Sequence, residues 1–258
     1  MTTLPAPGQR IDLEGALNLR DLGGWPTLDG SAIRRGVAFR CDRLSQLTDS
    51  DHEIFAELGI VTVIDFRYPV EVAEDPSRLW SGVANHIEIP MAGKLAQEKS
   101  FLERAFDGEM EGINDDWVFQ TYVDMLEAHA DGFATAIRHV ANDGPSLFHC
   151  TAGKDRTGIM AMLLLSIANV DRERILDDFE LSNPYRAEPR MAALAPIFAE
   201  RGLDVEDFRP ALGAPRPAMA KTLTWLDETH GGPLGYLRSE AGLTDAELGA
   251  VRSLLVAD

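Results

Sequence analysis

The sequence predicts an α/β fold in which helices flank a central, mostly parallel sheet, with a helical elaboration in the C-terminal third. Two observations carry this prediction. Residues 60–66 (IVTVIDF) form a β-branched run that is apolar on both faces, which is typical of a buried parallel strand. Strand-like runs alternate with segments of helical periodicity over residues 50–168, and such alternation indicates an α/β layer with a parallel sheet.

The N-terminal segment is expected to be extended and to contain tight turns. Residues 18–24 (NLRDLGG) suggest a turn that leads into a hairpin. The dipeptide Asp29-Gly30 is the strongest hairpin signal in the chain. An extended run follows at 33–39.

The next segment predicts short helices and strands. Ser50 and Glu53 have the spacing of a capping box, so we expect a helix from about 50 to 58. After the buried apolar run, a short helix is expected at 70–74 and a further strand at 86–89.

A long helical pattern precedes the most apolar part of the chain. Apolar residues between 115 and 141 recur at helical spacings and predict one amphipathic helix. A strand is expected at 146–149 (SLFH), followed by a polar loop and an apolar helix from about 156 to 168.

The C-terminal third is expected to be helical and to be divided by prolines. Asp171 is placed to cap one helix, and Thr244 with Glu247 to cap the last one. A length of 258 residues suits one domain with a large core. We therefore expect a single domain over 1–258, with 183–230 as a helical insertion on the core.

Charge and composition limit the classes of binding partner and the cellular compartment that we expect for this chain. A formal net charge of −18 argues against binding to nucleic acid or to an anionic membrane, although it leaves room for a local basic pocket. With two cysteines and no apolar signal region, the chain is expected to be cytoplasmic. The longest apolar run, 159–170, is interrupted by Ser166 and Asn169 and is too short to span a bilayer, so no stable membrane insertion is expected.

The chemistry is expected in the loop at 149–158 (HCTAGKDRTG), between a strand and a helix. Such a loop directs main-chain N–H groups inward, and the positive helix N-terminus helps it to bind a tetrahedral oxyanion. Cysteines at helix N-termini ionise readily, which makes Cys150 a candidate nucleophile. The planar guanidinium of Arg156 can hold two phosphoryl oxygens at once. This combination suits displacement at phosphorus through a phosphocysteine intermediate.

A nucleotide-binding phosphate loop does not fit the same residues. That motif requires a glycine where Phe148 stands, five residues before Gly153. It also requires Ser or Thr after Lys154, where this chain has Asp155.

The loop resembles the Cys-x5-Arg signature of the protein tyrosine phosphatase superfamily. Together with NLRDLGG at 18–24, DFR at 65–67 and DDFELSN at 177–183, it resembles the bacterial tyrosine phosphatase family, over residues 10–256. The resemblance implies the phosphatase fold and hydrolysis of phosphotyrosine without a metal or other cofactor. It also implies phosphoserine, phosphothreonine and phosphoinositides as further substrates, inhibition by phosphate or another oxyanion in the loop, and room for export without a cleavable signal.

The resemblance also assigns roles within the loop. Cys150 is the nucleophile, Arg156 binds the phosphoryl group, and Thr157 donates its hydroxyl to the thiolate. Lys154 adds a cation and points to inositol lipids. The residues expected to bind substrate through main-chain amides or side chains are Thr151, Ala152, Gly153, Lys154 and Thr157.

The general acid is open at this stage. The resemblance favours Asp155, inside the loop. Asp65 is the second choice because ligands gather at the carboxyl edge of α/β sheets. Dual-specificity relatives carry an Asp about 30 residues before the cysteine, where Asp115, Asp116 and Asp124 lie on the predicted long helix.

Plainer interpretations compete with these assignments. Asp155 could be a helix cap, and Asp65 could form a structural ion pair with Arg67. The chain could also be a catalytically weak phosphate-binding module with the phosphatase fold. A sulfurtransferase with a loop cysteine is a third hypothesis, although such loops do not need the Arg-Thr-Gly that follows here.

Overall fold

The structure is a computed structural model that describes residues 4–91, 101–110 and 112–257. Within these residues a five-stranded sheet lies between helices, which confirms the predicted α/β fold. Its strands are β1 (Arg20–Asp21), β2 (Ala38–Cys41), β3 (Thr62–Asp65), β4 (Asn85–Glu88) and β5 (Ser146–His149). Their order is β1-β2-β5-β3-β4. Only β1 runs antiparallel to its neighbour; the other pairs are parallel.

The sheet register brings three strand ends together. Cys41 on β2 and Asp65 on β3 both pair with His149, the last residue of the central strand β5. The segment after β5 therefore emerges between the ends of its two neighbours. This is the carboxyl edge of the sheet, where α/β proteins bind ligands.

The N-terminal turns are formed largely as predicted. The Asp29-Gly30 turn connects Thr27 to Ser31, whose carbonyl accepts from the Thr27 N–H at 3.0 Å. The extended run predicted at 33–39 yields a regular strand only from Ala38, because only there does the chain reach the parallel neighbour β5.

The helices before the central loop are α1 (Asp49–Glu57), α2 (Pro69–Glu74), α3 (Phe101–Phe106), α4 (Asp115–Ala128) and α5 (Ala130–Asn142). The predicted capping box at α1 was wrong by two residues: Thr48 and Asp51 form it. The Asp51 carboxylate also accepts the main-chain N–H groups of Glu14 and Gly15, so tertiary contacts decide which acidic residue caps.

The single long helix predicted over 115–141 is two helices. They meet at His129, whose φ of −129° is not helical. α4 packs on a later helix, α10 (Arg216–His230), whereas α5 packs on the last one, α12 (Asp245–Leu255). The two helices pack on different neighbours, and the amphipathic period alone does not reveal the break between them at His129.

The helix after the central loop is α6 (Asp155–Ile167), which matches the predicted apolar helix. Nearly every one of its residues is buried, as expected for a helix that is apolar all round. It packs against β2, β5 and several helices of the C-terminal third. No helix in the described part of the chain is long and apolar enough to cross a membrane.

The C-terminal third is helical. It comprises α7 (Arg172–Glu180), a π-helical turn (Asn183–Ala187), α8 (Glu188–Ala199), a 3-10 turn (Val205–Phe208), α9 (Arg209–Leu212), α10, α11 (Pro233–Ser239) and α12. Asp171 caps α7 and Thr244 forms a capping box with Glu247, as predicted.

The stretch 183–230 contributes to two apolar clusters. Residues of α10 such as Met219 and Leu226 join the main core. Residues of α8 such as Leu194 and Phe198 pack instead in a separate cluster with residues around α3. The division into one domain with an insertion stays a prediction.

Candidate active site

Cys150 follows β5 directly and lies at the bottom of the loop. Its Sγ accepts from the main-chain N–H of Gly153 at 3.3 Å and from the hydroxyl of Thr157 at 3.2 Å. The residue is only 1% exposed. Both donors point at the sulfur, so they are placed to stabilise negative charge that develops on it.

The loop leads into the N-terminus of α6, which no described side chain caps. The first N–H groups of a helix have no partner within it, and the helix dipole makes this end positive. Gly153 allows the tight approach: its φ is +66°, and a Cβ there would lie 2.4 Å from the carbonyl oxygen of Cys41. Only glycine fits this position, so the residue is needed for the loop to reach its shape.

Arg156 is held by a carboxylate that the sequence analysis did not identify. Its Nη1 and Nη2 donate to Glu71 at 2.6 Å and 2.9 Å, and Nη1 also donates to the carbonyl of Phe66 at 3.0 Å. The guanidinium has five N–H groups. The Nε–H and one Nη2–H, which share an edge, have no acceptor among the described residues, and this edge can receive two phosphoryl oxygens.

Arg156 and Glu71 are both charged. Burial alone would lower the pKa of Arg156, but its hydrogen bonds to Glu71 and the negative charge of Cys150 raise it above its ordinary value. Burial alone would raise the pKa of Glu71, but Arg156 and the Thr151 hydroxyl hold it below the ordinary value. The ring of Tyr68 lies 4.4 Å from the guanidinium carbon and supports it by a cation–π contact.

Glu71 reaches the loop because of how α2 begins. Pro69 starts the helix and Glu71 occupies its third position, from which the carboxylate accepts the main-chain N–H of Tyr68 at 2.9 Å. The Thr151 hydroxyl donates to the same carboxylate. A glutamate two residues after a helix-starting proline, just beyond a buried strand, was the available sequence signal.

Asp155 is oriented by two neighbours. The hydroxyl of Tyr122 on α4 donates to its Oδ1 at 2.7 Å, and the Nζ of Lys154 lies 2.8 Å from its Oδ2. Burial and the negative charge of Asp155 raise the pKa of Tyr122 well above 10, so this hydroxyl stays a donor. The Asp155 side chain keeps 29% of its surface exposed, whereas that of Lys154 is 8% exposed and is not a freely solvated cation.

Asp65 has a different environment. Both its oxygens accept from the guanidinium of Arg67, at 2.7 Å to 3.1 Å, and the residue is fully buried. Burial alone would raise the pKa of Asp65, but His149 and Arg67 lower it. A buried carboxylate with saturated oxygens is a poor proton donor, so the geometry favours the ion-pair interpretation. Burial lowers the pKa of His149 to about 4, and its Nδ1 lies 3.4 Å from the carbonyl oxygen of Cys150.

The acidic candidates on the predicted long helix lie on α4. Asp116 pairs with Lys221 on α10, and Asp124 accepts from Gln120 one turn earlier. Both of these contacts lie along the helix surface. For Asp115, no described contact brings it to the loop.

A buried charged network lies beneath the loop. Arg20 and Arg40 both donate to Asp178, at 3.0 Å and 2.5 Å, and all three are essentially unexposed. Arg40 and Asn18 also donate to the carbonyl of Gly153, at 2.8 Å and 2.9 Å. In a trans peptide the C=O and the following N–H point in opposite directions. Because Arg40 and Asn18 bind the Gly153 carbonyl from beneath the loop, the main-chain N–H of Lys154 points the other way, toward the anion site.

The network has one positive charge in excess. Burial lowers the pKa of Arg40 to about 10, helped by repulsion from Arg20 and opposed by Asp178. Burial alone would raise the pKa of Asp178, but the two arginines lower it. A thiolate at Cys150 would balance this excess positive charge, and the negative charge of Cys150 favours the charged form of Arg40. The segments 18–24 and 177–183, which carried the resemblance, supply Asn18, Arg20 and Asp178, and β2 supplies Arg40.

Comparisons with known proteins identify the family to which this chain is similar. A sequence model described as the tyrosine phosphatase family matches residues 11–257. The triple specificity protein phosphatase PtpB of Mycobacterium tuberculosis is 30% identical over 279 residues, covering 95% of this chain and 98% of that protein. A candidate tyrosine-protein phosphatase of Cupriavidus necator is 30% identical over 235 residues, covering 90% of this chain and 84% of that protein. The solved structure of P. aeruginosa TpbA is more distant, with 16% identity, a TM-score of 0.30, and coverage of 69% of this chain and 86% of that chain.

Proposed function

Because this chain belongs to the tyrosine phosphatase family, we propose that it hydrolyses phosphate monoesters through a phosphocysteine at Cys150, with phosphotyrosine as the leading substrate. The observation that supports this most is the pairing of a sulfur that receives two hydrogen bonds with a guanidinium whose outer edge is open. Nucleophile, anion site and clamp then belong to a single strand-loop-helix unit.

In the first step, the Cys150 thiolate attacks phosphorus while the bond to the leaving oxygen breaks. Arg156 and the loop amides stabilise the charge on the equatorial oxygens. The leaving oxygen takes its proton from Asp155, whose side chain is more exposed than that of Asp65.

In the second step, water attacks the phosphocysteine and the sulfur–phosphorus bond breaks. Asp155 accepts the proton of the attacking water, as the reverse of its first role. The sulfur leaves as a thiolate, and the Thr157 hydroxyl at 3.2 Å stabilises it.

The proposal extends to phosphoserine, phosphothreonine and phosphoinositides. The name of PtpB describes three specificities for that relative, and its alignment spans nearly all of this chain. Lys154 supports a lipid headgroup as substrate, although its ammonium group must first leave Asp155. Phosphate and other oxyanions would inhibit by occupying the loop. We place the activity in the cytoplasm, where cysteines without a disulfide, as Cys41 and Cys150 are in this structure, are usual.

Turnover of para-nitrophenyl phosphate in the presence of a chelator tests the proposal. We expect release of para-nitrophenol by the wild type and its loss in Cys150→Ser. Cys41→Ser makes the same chemical change at the other buried cysteine and should retain turnover once folding is verified by its melting temperature. Turnover that survives in Cys150→Ser would refute the covalent mechanism. Phosphate binding without turnover would instead indicate a binding module.

A further inference from the structure

A second pocket lies beside the catalytic loop, on the β2 side. Its volume is about 300 Å³, and its walls include Leu17, Asp42, Arg43, Arg186 and Arg190. Neither Glu71 nor Arg156 lines this pocket, so it does not overlap the Arg156 clamp.

Arg43 connects this pocket to the loop. Its main-chain N–H donates to the carbonyl of Thr151, the residue after Cys150, at 3.3 Å. Its Nε lies 3.3 Å from an oxygen of Asp75, at the end of α2. Arg43 therefore lines the pocket and contacts the catalytic loop through its main chain.

The acidic groups of the pocket are already engaged. Asp42 accepts from the main-chain N–H groups of Leu17 and Asn18, both at 3.0 Å. Its other oxygen lies 3.1 Å from Nε of Arg186 but is not aligned for a hydrogen bond. Glu14, at the outer wall, has an exposed side chain that water screens.

Positive charge is left over. Arg190 is half-buried and makes no ion pair with any described residue. Burial lowers the pKa of Arg190, and repulsion from Arg186 and Arg43 lowers it further. Arg186 and Arg43 have carboxylate partners in Asp42 and Asp75. Arg190 is repelled by both arginines and has no such partner among the described residues, so the pocket keeps a positive charge that a bound anion would stabilise.

We propose that Arg43, Arg186 and Arg190 form a second anion site, which binds a further phosphate group of a substrate whose first phosphate lies in the catalytic loop. This inference rests on the proposed phosphatase function. The small volume, and the single main-chain bond between Arg43 and the loop, favour a compact substrate with neighbouring phosphates, of the inositol phosphate class, over a doubly phosphorylated peptide.

Competition against para-nitrophenyl phosphate hydrolysis measures the second site. Inorganic phosphate occupies one site, and a soluble inositol bisphosphate with neighbouring phosphates can bridge two. We expect Arg190→Ala to raise the inhibition constant of the bisphosphate about tenfold relative to that of phosphate, equal to about 1.4 kcal/mol. Arg190→Lys should restore part of the difference, since it keeps the charge without the planar fork.

Arg174→Ala is the matched control. It removes the same charge from α7, where Arg174 is exposed and pairs with Asp177, and should keep the wild-type ratio. An Arg190→Ala variant that changes both inhibition constants equally, or neither, would overturn the second site. Melting temperatures identify variants that lose affinity by unfolding.

Measurements with other phosphorylated ligands identify which class of molecule supplies the second phosphate. The same inositol headgroup on lipid vesicles should show the same shift, whereas a shift confined to vesicles would mean surface attraction and would contradict a phosphate contact. A shift seen only with a doubly phosphorylated peptide would overturn the assignment to inositol phosphates. If the wild type does not hydrolyse para-nitrophenyl phosphate, the proposed function fails, and calorimetric titration of the same variants with inositol bisphosphate still tests the pocket.

Discussion

Replacing Glu71 with glutamine tests whether Arg156 is a clamp oriented in advance. The carboxylate accepts from both terminal nitrogens of the guanidinium, at 2.6 Å and 2.9 Å. Glutamine keeps the size and one acceptor, but both Glu71 oxygens accept from the guanidinium, so in either orientation the NH₂ group would face a guanidinium N–H, which is also a donor. Arg156 would lose one charge-assisted bond and part of its fixed orientation.

The size of the effect follows from this geometry. A hydrogen bond to a charged group contributes about 1.5–3 kcal/mol. Since the Glu71 side chain is 21% exposed, water can replace part of the lost bond. We therefore expect about 2 kcal/mol, which is roughly 30-fold in kcat/KM. The loss should fall mainly on kcat, because the clamp acts on charge that develops in the transition state.

Steady-state kinetics with para-nitrophenyl phosphate measure this loss. Glu74→Gln is the matched control, since it makes the same change at an exposed residue of the same helix. Activity of Glu71→Gln within twofold of both the wild type and the control would refute the clamp. A parallel fall in melting temperature would show that the ion pair supports folding and not orientation.

Three further predictions concern stability, proton transfer and specificity. Asp178→Asn leaves Arg20 and Arg40 without their buried partner, so urea denaturation should show a loss of about 3–5 kcal/mol. The pKa of Asp178 is lowered in the folded state, so its contribution to the free energy of unfolding is complete above the ordinary carboxyl pKa and is lost as the pH falls through the folded-state pKa. Wild type and variant should therefore converge in stability in acid, and a gap that stays constant with pH would contradict this. Asp155→Asn should slow alkyl phosphates more than phenyl phosphates, since poor leaving groups depend more on protonation, and equal slowing in rate assays would assign the acid elsewhere. Lys154→Ala should reduce turnover of phosphoinositides more than that of phosphotyrosine, whereas equal kinetic effects would remove the argument for lipid specificity.

Local sequence patterns were sufficient to predict the strands and the helix that surround the catalytic loop. The apolar runs at 60–66 and 146–149 form β3 and β5, and the apolar stretch that follows forms α6. These segments are buried on every side, so their hydrophobicity identifies them without knowledge of the fold. The loop itself is local in sequence, and its glycine, cysteine and arginine can be recognised together.

Contacts between distant segments could not be predicted in this way. Arg20 and Asp178 are 158 positions apart, and Glu71 and Arg156 are 85 positions apart. A buried ion pair has no periodicity, and each member alone resembles a solvated charge. The break at His129 is similar, because it depends on which helices receive α4 and α5.

Detection of the covalent intermediate tests the central claim most directly. Wild type and Asp155→Asn are mixed with para-nitrophenyl phosphate, quenched in acid within milliseconds, digested and analysed by mass spectrometry. We expect a phosphoryl group on the peptide that contains Cys150, with more of it in Asp155→Asn because water attack then lacks its base. Rapid release of product with no phosphoryl group on Cys150, or with one on another residue, would contradict the mechanism.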